Sequence, residues 1–190
     1  MKFYFLLEEY SMSLFLRDLL PRLFPTFIDE EHYSLRHHDG KEDLIGAIPP
    51  FIKGIASKFE VSVIIIHDQD NKDCVQLKAE IKQLCKHSTA PVFIPIPCRE
   101  LEAWYLGDPE GFSSIYQEFD KVKKKNVFRR NPDDLIKPSK IIKDYVPSFS
   151  KTDAARNMGK IINTDKNKSK SFQYFIRELK KFVQKSIKIN

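Results

Sequence analysis

The chain has 190 residues, 42% of them hydrophobic and 31% charged, with a formal net charge of +6. That length fits one domain with a small appendage and can bury a sizeable core, which excludes a collagen-like or broadly disordered chain. No apolar run is long enough to span a bilayer, and the N-terminal apolar run meets Glu8-Glu9 too early for a signal peptide, so a soluble, cytoplasmic protein with no membrane partner is expected.

Lys2 to Leu7 is aromatic and apolar and predicts a strand. Ser11 to Phe24 repeats apolar residues at helical spacing, with Ser11 or Ser13 as the expected N-cap and Pro21 bending or shortening the helix. His32 to His38 predicts a second strand closed by the Asp39-Gly40 turn. Lys41 to Phe59 then predicts a helix broken at Pro49-Pro50. Val61 to His67 is β-branched and almost continuously apolar, as expected of a central parallel strand buried on both faces. Asp73 to Lys86 predicts a helix, Pro91 to Pro97 a short strand, and Glu100 to Leu106 the start of another helix. Strand and helix alternate through about residue 106, which implies a parallel α/β sheet with crossover helices.

Beyond Gly111 the expectation is lysine-rich helices and no strand. Asn131 to Asp134 predicts a turn leading into a helix, and Asn163 to Lys170 a flexible linker. Ser169 to Ile187 predicts an amphipathic helix, with Phe172, Phe175, Ile176, Leu179, Phe182 and Val183 on one stripe. The expected organisation is therefore an α/β core over 1–110 and a basic helical extension packed on it over 111–190.

The charge is unevenly divided. Residues 1–120 carry 12 Lys and Arg against 20 Asp and Glu, net −8, and the remaining residues carry net +14. An acidic half able to hold cations, joined to a basic half able to hold polyanions, suits a metal-dependent enzyme acting on nucleic acid; a solvated Lys-rich surface fits the charge alone equally well. Lys123, Lys124 and Lys125 with Arg129 and Arg130 form the densest basic cluster. Lys151 and Arg156 form a second, and Lys41 follows the Asp-Gly turn; phosphate contact is their expected role.

Three acidic clusters follow predicted strands: Glu8-Glu9, then Asp68-Gln69-Asp70 with Asp73, then Glu100 and Glu102. An open α/β sheet binds ligands beyond the carboxyl ends of its strands, so the fold would gather these clusters. Crowded carboxylates repel one another unless a cation sits among them, and hard oxygen donors suit Mg²⁺ or Mn²⁺. The competing role is helix capping, above all for Asp73. Glu100 and Glu102, two apart, cannot share a helix face, so one could point into the site while the other meets solvent or an Arg; Glu100 is favoured as a second-metal ligand over a helix-start role. His67 is expected to be buried and hydrogen-bonded, Trp104 and Tyr105 to belong to the core, and Cys74, Cys85 and Cys98 to be buried thiols. No CxxC pair suggests a disulfide framework or a zinc ribbon, and no glycine-rich phosphate loop suggests ATP binding.

Leu6 to Ser11 followed by Val63 to Asp70 resembles the Toprim domain of topoisomerases, bacterial primases and OLD-family nucleases. More narrowly, Leu19 to Leu23, His38 to Lys41, Asp68 to Cys74, Arg99 to Asp108 and Ser169 to Phe172 are similar to domain of unknown function family 4276, a Toprim-like family. The resemblance implies a Toprim-like fold and a Mg²⁺-dependent (or Mn²⁺-dependent) centre that cleaves phosphodiester bonds of DNA or RNA. It also implies a separately encoded ABC- or SMC-type ATPase as partner, in an antiphage or restriction-like system. Carried over, Glu8 is the general acid or base and Asp68 and Asp70 hold metal, with Asp73, Glu9 and Glu100 as further ligand candidates. Two positions depart from the Toprim pattern: Glu9 replaces the glycine after the first Glu, and Asp73-Cys74 stands where a glycine follows D-x-D. Both disfavour topoisomerase activity and leave open a non-catalytic adaptor that binds an ATPase.

Overall fold

The computed structural model describes residues 1–56 and 59–188. Four parallel strands, β1 (Lys2–Leu7), β2 (Tyr33–His37), β3 (Val61–Ile66) and β4 (Val92–Phe93), lie in the order β2-β1-β3-β4. The chain moves one way from β1 to β2 and the other way from β2 to β3 and β4. Right-handed crossovers must then put the connecting helices on opposite faces. They do: α1 (Tyr10–Leu23) packs with Phe3, Phe5 and Leu7, and α2 (Lys41–Phe51) and α3 (Cys74–Leu84) pack with Leu6, Val63 and Ile65. Period-two alternation along β1 and β3 divides the apolar side chains between these two layers. Every residue of β3 is buried, as its continuous apolar sequence requires.

The rest of the chain is helical: α4 (Glu102–Leu106), α5 (Pro109–Ile115), α6 (Gln117–Asp120), α7 (Asn126–Arg129), a 3-10 turn at Pro132–Asp134, α8 (Pro138–Tyr145), α9 (Lys151–Ile161) and α10 (Lys170–Lys188). The predicted stripe of α10 is its buried face, with Phe182 partly exposed. Trp104 is fully buried between Phe15 and Phe175, with ring centroids 5.9 and 4.9 Å away. One apolar cluster runs from Phe3 in β1 through Phe15 and Trp104 to Val183 in α10.

Several local expectations are corrected. Neither Ser11 nor Ser13 caps α1; Glu9 is the N-cap, Ser11 Oγ donates to Glu9 Oε2 (3.1 Å) and Ser13 Oγ donates to the Tyr10 carbonyl (2.7 Å). Pro49 and Pro50 do not break α2, whose exposed side carries them. The helix continues past them and widens into a π turn over Ile52–Ala56. Residues 57 and 58 of that predicted helix, and 189–190 of the predicted extension, lie outside the described residues. The Pro91–Pro97 strand shrinks to Val92–Phe93, since Pro95 and Pro97 have no N–H to give a ladder.

The predicted linker over 163–170 is pinned instead. Asn167 Nδ2 donates to the Trp104 carbonyl (2.8 Å), Lys168 N donates to the Gly107 carbonyl (2.8 Å), and Asn167 and Ser169 are fully buried. Polar composition suggested mobility, but these side chains satisfy backbone groups that would otherwise be orphaned. Cys74 is exposed, unlike the buried Cys85, because it occupies the first, solvent-facing position of α3. Among the described residues no helix is long and apolar enough to cross a membrane.

Helices α1 and α9 approach closely at Gly159, where a Cβ would lie 2.5 Å from the Phe15 carbonyl oxygen. Because that obstacle is backbone, Gly159→Ala is expected to lower stability by about 1–3 kcal/mol, read as a shift in the urea midpoint at constant m-value.

Candidate functional site

The strand order reverses direction between β1 and β3, and an open α/β sheet has its crevice beyond the carboxyl ends at that point. The register sets Leu7 beside Ile66, so Glu8 and the His67-Asp68 pair leave the sheet side by side. Glu8 N donates to the Ile66 carbonyl (3.3 Å), and its own carboxylate turns back so that Oε2 accepts from Asp68 N at 2.9 Å. His67 Nδ1 lies 3.0 Å from the same oxygen and 2.6 Å from the Asp68 carbonyl. On the other side, Gly40 N donates to the Glu8 carbonyl (3.0 Å), with Gly40 in the left-handed region at φ 93° and Lys41 exposed at the start of α2. Glu8 is thus fixed from three strand ends.

Past Asp68 the chain keeps pairing with the segment after β4. Gln69 N donates to the Pro97 carbonyl and Asp70 N to the Arg99 carbonyl, both at 3.0 Å, while Arg99 Nη1 donates to the Asp70 carbonyl at 3.0 Å. Asp70 and Arg99 both take positive φ, 52° and 66°, where Asp is tolerated better than most residues. This zipper brings α4 to the acidic end of β3. Every residue of α4 is buried, and its Glu102 is only 1% exposed.

The electrostatics follow from this crowding. Burial, opposed by His67 and the Asp68 amide, raises the Glu8 carboxyl above the ordinary range. Asp68 is pushed well up, first by burial and then by the charges of Glu8, Glu102 and Glu9. Burial lifts Glu102 to about 7 despite the pull of Lys151. Lys151 lies at the first position of α9, its ammonium 3.3 Å from Glu9 Oε2 and 3.8 Å from Glu102 Oε1. Burial alone would lower its affinity for a proton, but Glu102, Glu9 and Glu100 outweigh it and raise it.

The sequence-predicted residues therefore divide. Glu8, Glu9 and Asp68 meet around a cavity of about 10 Å³, and the Asp70 charge reaches Glu8. Asp73 Oδ1 caps α3, accepting from Val75 N and Gln76 N. Glu100 Oε2 accepts from Ser139 N at the start of α8 (2.9 Å), a helix-start role in place of the expected metal ligand. Lys151, expected among the phosphate contacts, sits inside the acidic cluster. Lys123 is held by Glu110 and Asp120 at 2.7 Å each, and Lys125 lies over the Tyr145 ring. Lys124, Arg129, Arg130 and Arg156 are exposed, on surfaces outside the crevice lining.

Sequence reasoning underrated Glu102, whereas His67 is buried and hydrogen-bonded as expected. A five-residue helix is too short for periodicity to reveal that it has no exposed face. Alternation aims His67 away from Asp68, yet its ring still reaches Glu8.

Among the described residues no group of three or more His, Cys, Asp or Glu side chains is placed so that it could hold a metal ion. The donor chemistry nonetheless fits a hard divalent cation: oxygen ligands only, on adjoining chain ends, around a space of single-ion size, holding protons more tightly than isolated carboxylates.

The raised carboxyls carry a sign. The folded state keeps the Glu102 proton up to about pH 7 while the unfolded chain releases it near 4.5, so stability falls as pH rises across that window. Glu102→Gln should leave stability at pH 4 nearly unchanged and raise it at pH 8, on the order of 3 kcal/mol, as thermal unfolding across pH would register.

A family model described as Domain of unknown function (DUF4276) matches residues 7–180. No curated protein and no solved structure matches the chain.

Proposed function

The chain belongs to the DUF4276 family, and from that membership and the convergence of Glu8 with Asp68 we propose a Toprim-type, divalent-metal-dependent nuclease. The carrying observation is that carboxylates from the ends of β1 and β3 share one buried crevice in which burial and mutual repulsion favour their protonated forms. Carboxyls whose proton affinity is raised in a shared crevice are candidates for cation binding or proton transfer.

In this reading Asp68, Asp70 and Glu8 would hold Mg²⁺ or Mn²⁺. The cation, when bound, supplies charge stabilisation at the phosphate and an acidified water. Glu8 is oriented by His67 and the Asp68 amide through Oε2, which leaves Oε1 to accept the proton of the attacking water. The water oxygen bonds to phosphorus as the bond to the leaving oxygen breaks, and that oxygen takes up a proton. Lys151 balances Glu9 and Glu102, so the crevice carries less negative charge toward an incoming phosphate. Lys41, Lys124, Arg129, Arg130 and Arg156 are candidates for phosphate contact away from the reacting bond. Work as a cytoplasmic antiphage effector beside a separate ABC- or SMC-type ATPase belongs to the same proposal.

One observation favours the alternative, a non-catalytic adaptor for that ATPase. Lys151 already neutralises two carboxylates of the cluster without any metal.

Calorimetric titration with Mn²⁺ separates the two readings. The nuclease requires binding that strengthens from pH 6 to pH 8, releases protons and disappears in Asp68→Asn. It also requires Mn²⁺-dependent cleavage of DNA or RNA, measured with and without the partner ATPase, that falls roughly 100-fold or more in Glu8→Gln. Binding and turnover untouched by these substitutions would reject the assignment, and absence of a metal site would favour the adaptor.

A further inference from the structure

The edge of the sheet beside the acidic crevice carries a feature that the metal centre does not use. Two open cavities, of about 610 and 630 Å³, meet along β4 and share Lys78 and Ile94 in their walls. The first begins at Gln69, whose Oε1 accepts from Arg99 N, and at Arg99, whose Nη1 donates to the Asp70 carbonyl, and extends past Val75 and Ile96 to Tyr174 on α10. The second continues past Lys82 and Lys86 on the far side of β4. Together they line the side of α3 from the D-x-D turn to Lys86, with α10 forming the opposite wall at Lys170, Ser171 and Tyr174 of the first cavity only.

Its walls combine apolar surface with positive charge. Val75 is 73% and Tyr174 38% exposed. The Tyr174 ring is flanked by Lys78 Nζ and Arg177 Cζ, each 5.6 Å from its centroid, and Lys78 Nζ also donates to Tyr174 Oη at 3.4 Å. Arg99 keeps its Nε buried without an acceptor. Asp133 and Asp134 add negative charge at one end; the Asp133 carboxylate is engaged by Ser169, Ser171 and the Ser171 amide, and Asp134 is exposed at the rim.

We infer that this groove carries a single strand of nucleic acid to the acidic centre, its phosphates along Lys78, Lys82 and Lys86 and a base against Tyr174. Aromatic faces beside a lysine track are how unpaired strands are bound without sequence readout, whereas the edges of a paired duplex offer no free base face to Tyr174. A peptide added to the edge of the sheet is the less suitable occupant. β4 is two residues long, and Pro91, Pro95 and Pro97 around it lack the N–H groups a strand partner would need. The inference deepens the nuclease reading by naming an unpaired strand as its substrate, and it is tested by binding so that it stands or falls apart from turnover.

The measurement is fluorescence anisotropy of a labelled 12-nucleotide strand, as DNA and as RNA, and of the matching duplex. It uses the full chain carrying Asp68→Asn and no divalent ion. Single strands should bind more tightly than duplex. Lys78→Glu with Lys82→Glu should weaken single-strand binding roughly tenfold or more and reduce the salt slope by about 1–2. Tyr174→Ala, whose side chain is at the surface, should weaken it with the salt slope unchanged. Lys124→Glu with Arg129→Glu, on the other basic cluster, should weaken it less than the groove variants. Preference for DNA over RNA, or the reverse, would identify the strand's chemistry. Equal binding of duplex, indifference to the groove substitutions, or an equal loss in the Lys124/Arg129 control would overturn the inference. Groove-dependent binding without Mn²⁺-dependent cleavage by the unsubstituted chain, either alone or with the partner ATPase, would reject the nuclease and keep the groove.

Discussion

The parallel pairing of β1 with β3 is the constraint from which the remaining arrangement follows. With Leu7 opposite Ile66, Glu8 and Asp68 emerge as immediate neighbours although sixty positions separate them, and the carboxylate of one accepts from the amide of the other. A register slip of one residue would exchange the two apolar layers and carry Glu8 out of reach of that amide. The apolar content of β3, buried along its whole length, is what forbids the slip. The acidic crevice is therefore specified by core packing rather than by any attraction among its members, which repel one another.

The sequence was most informative where burial and secondary structure give the same instruction. β1, β3 and the stripe of α10 could be read directly because alternation, a continuous β-branched run and a 3.6-residue period each admit one packing. Pro49 and Pro50 misled because α2 continues past both and widens only beyond them, which no local rule anticipates. The 163–170 segment misled for a related reason. Asn167 and Ser169 look like loop residues, yet their partners, Trp104 and Asp133, lie 63 and 36 positions away.

The site was legible in its anchors and not in its second ring. The convergence of Glu8 with Asp68 could be anticipated because each follows a strand whose end the topology dictates; Asp70 is exposed beside Arg99 and Glu100, outside the lining of that crevice. Asp73 and Glu100 have the same composition and similar positions but spend their oxygens on the first turns of α3 and α8. Glu102 escaped because a charged residue in a fully buried short helix contradicts the usual reading of charge as surface. Lys151 escaped because its destination depends on how α9 packs against α1, a long-range contact that carries no signature in the neighbouring residues.

Lys151 has a consequence beyond charge balance. Its ammonium and any cation drawn into the crevice compete for overlapping carboxylates, and α9 is wedged against α1 through Gly159 with no room for a side chain between them. Displacing that ammonium would then load the seat of the helix, and loosening the helix would in turn alter how strongly the crevice attracts a cation. By thermodynamic reciprocity, anything that shifted α9 would change the field Lys151 exerts on Glu9 and Glu102, and a change in that field would act back on the seat of the helix.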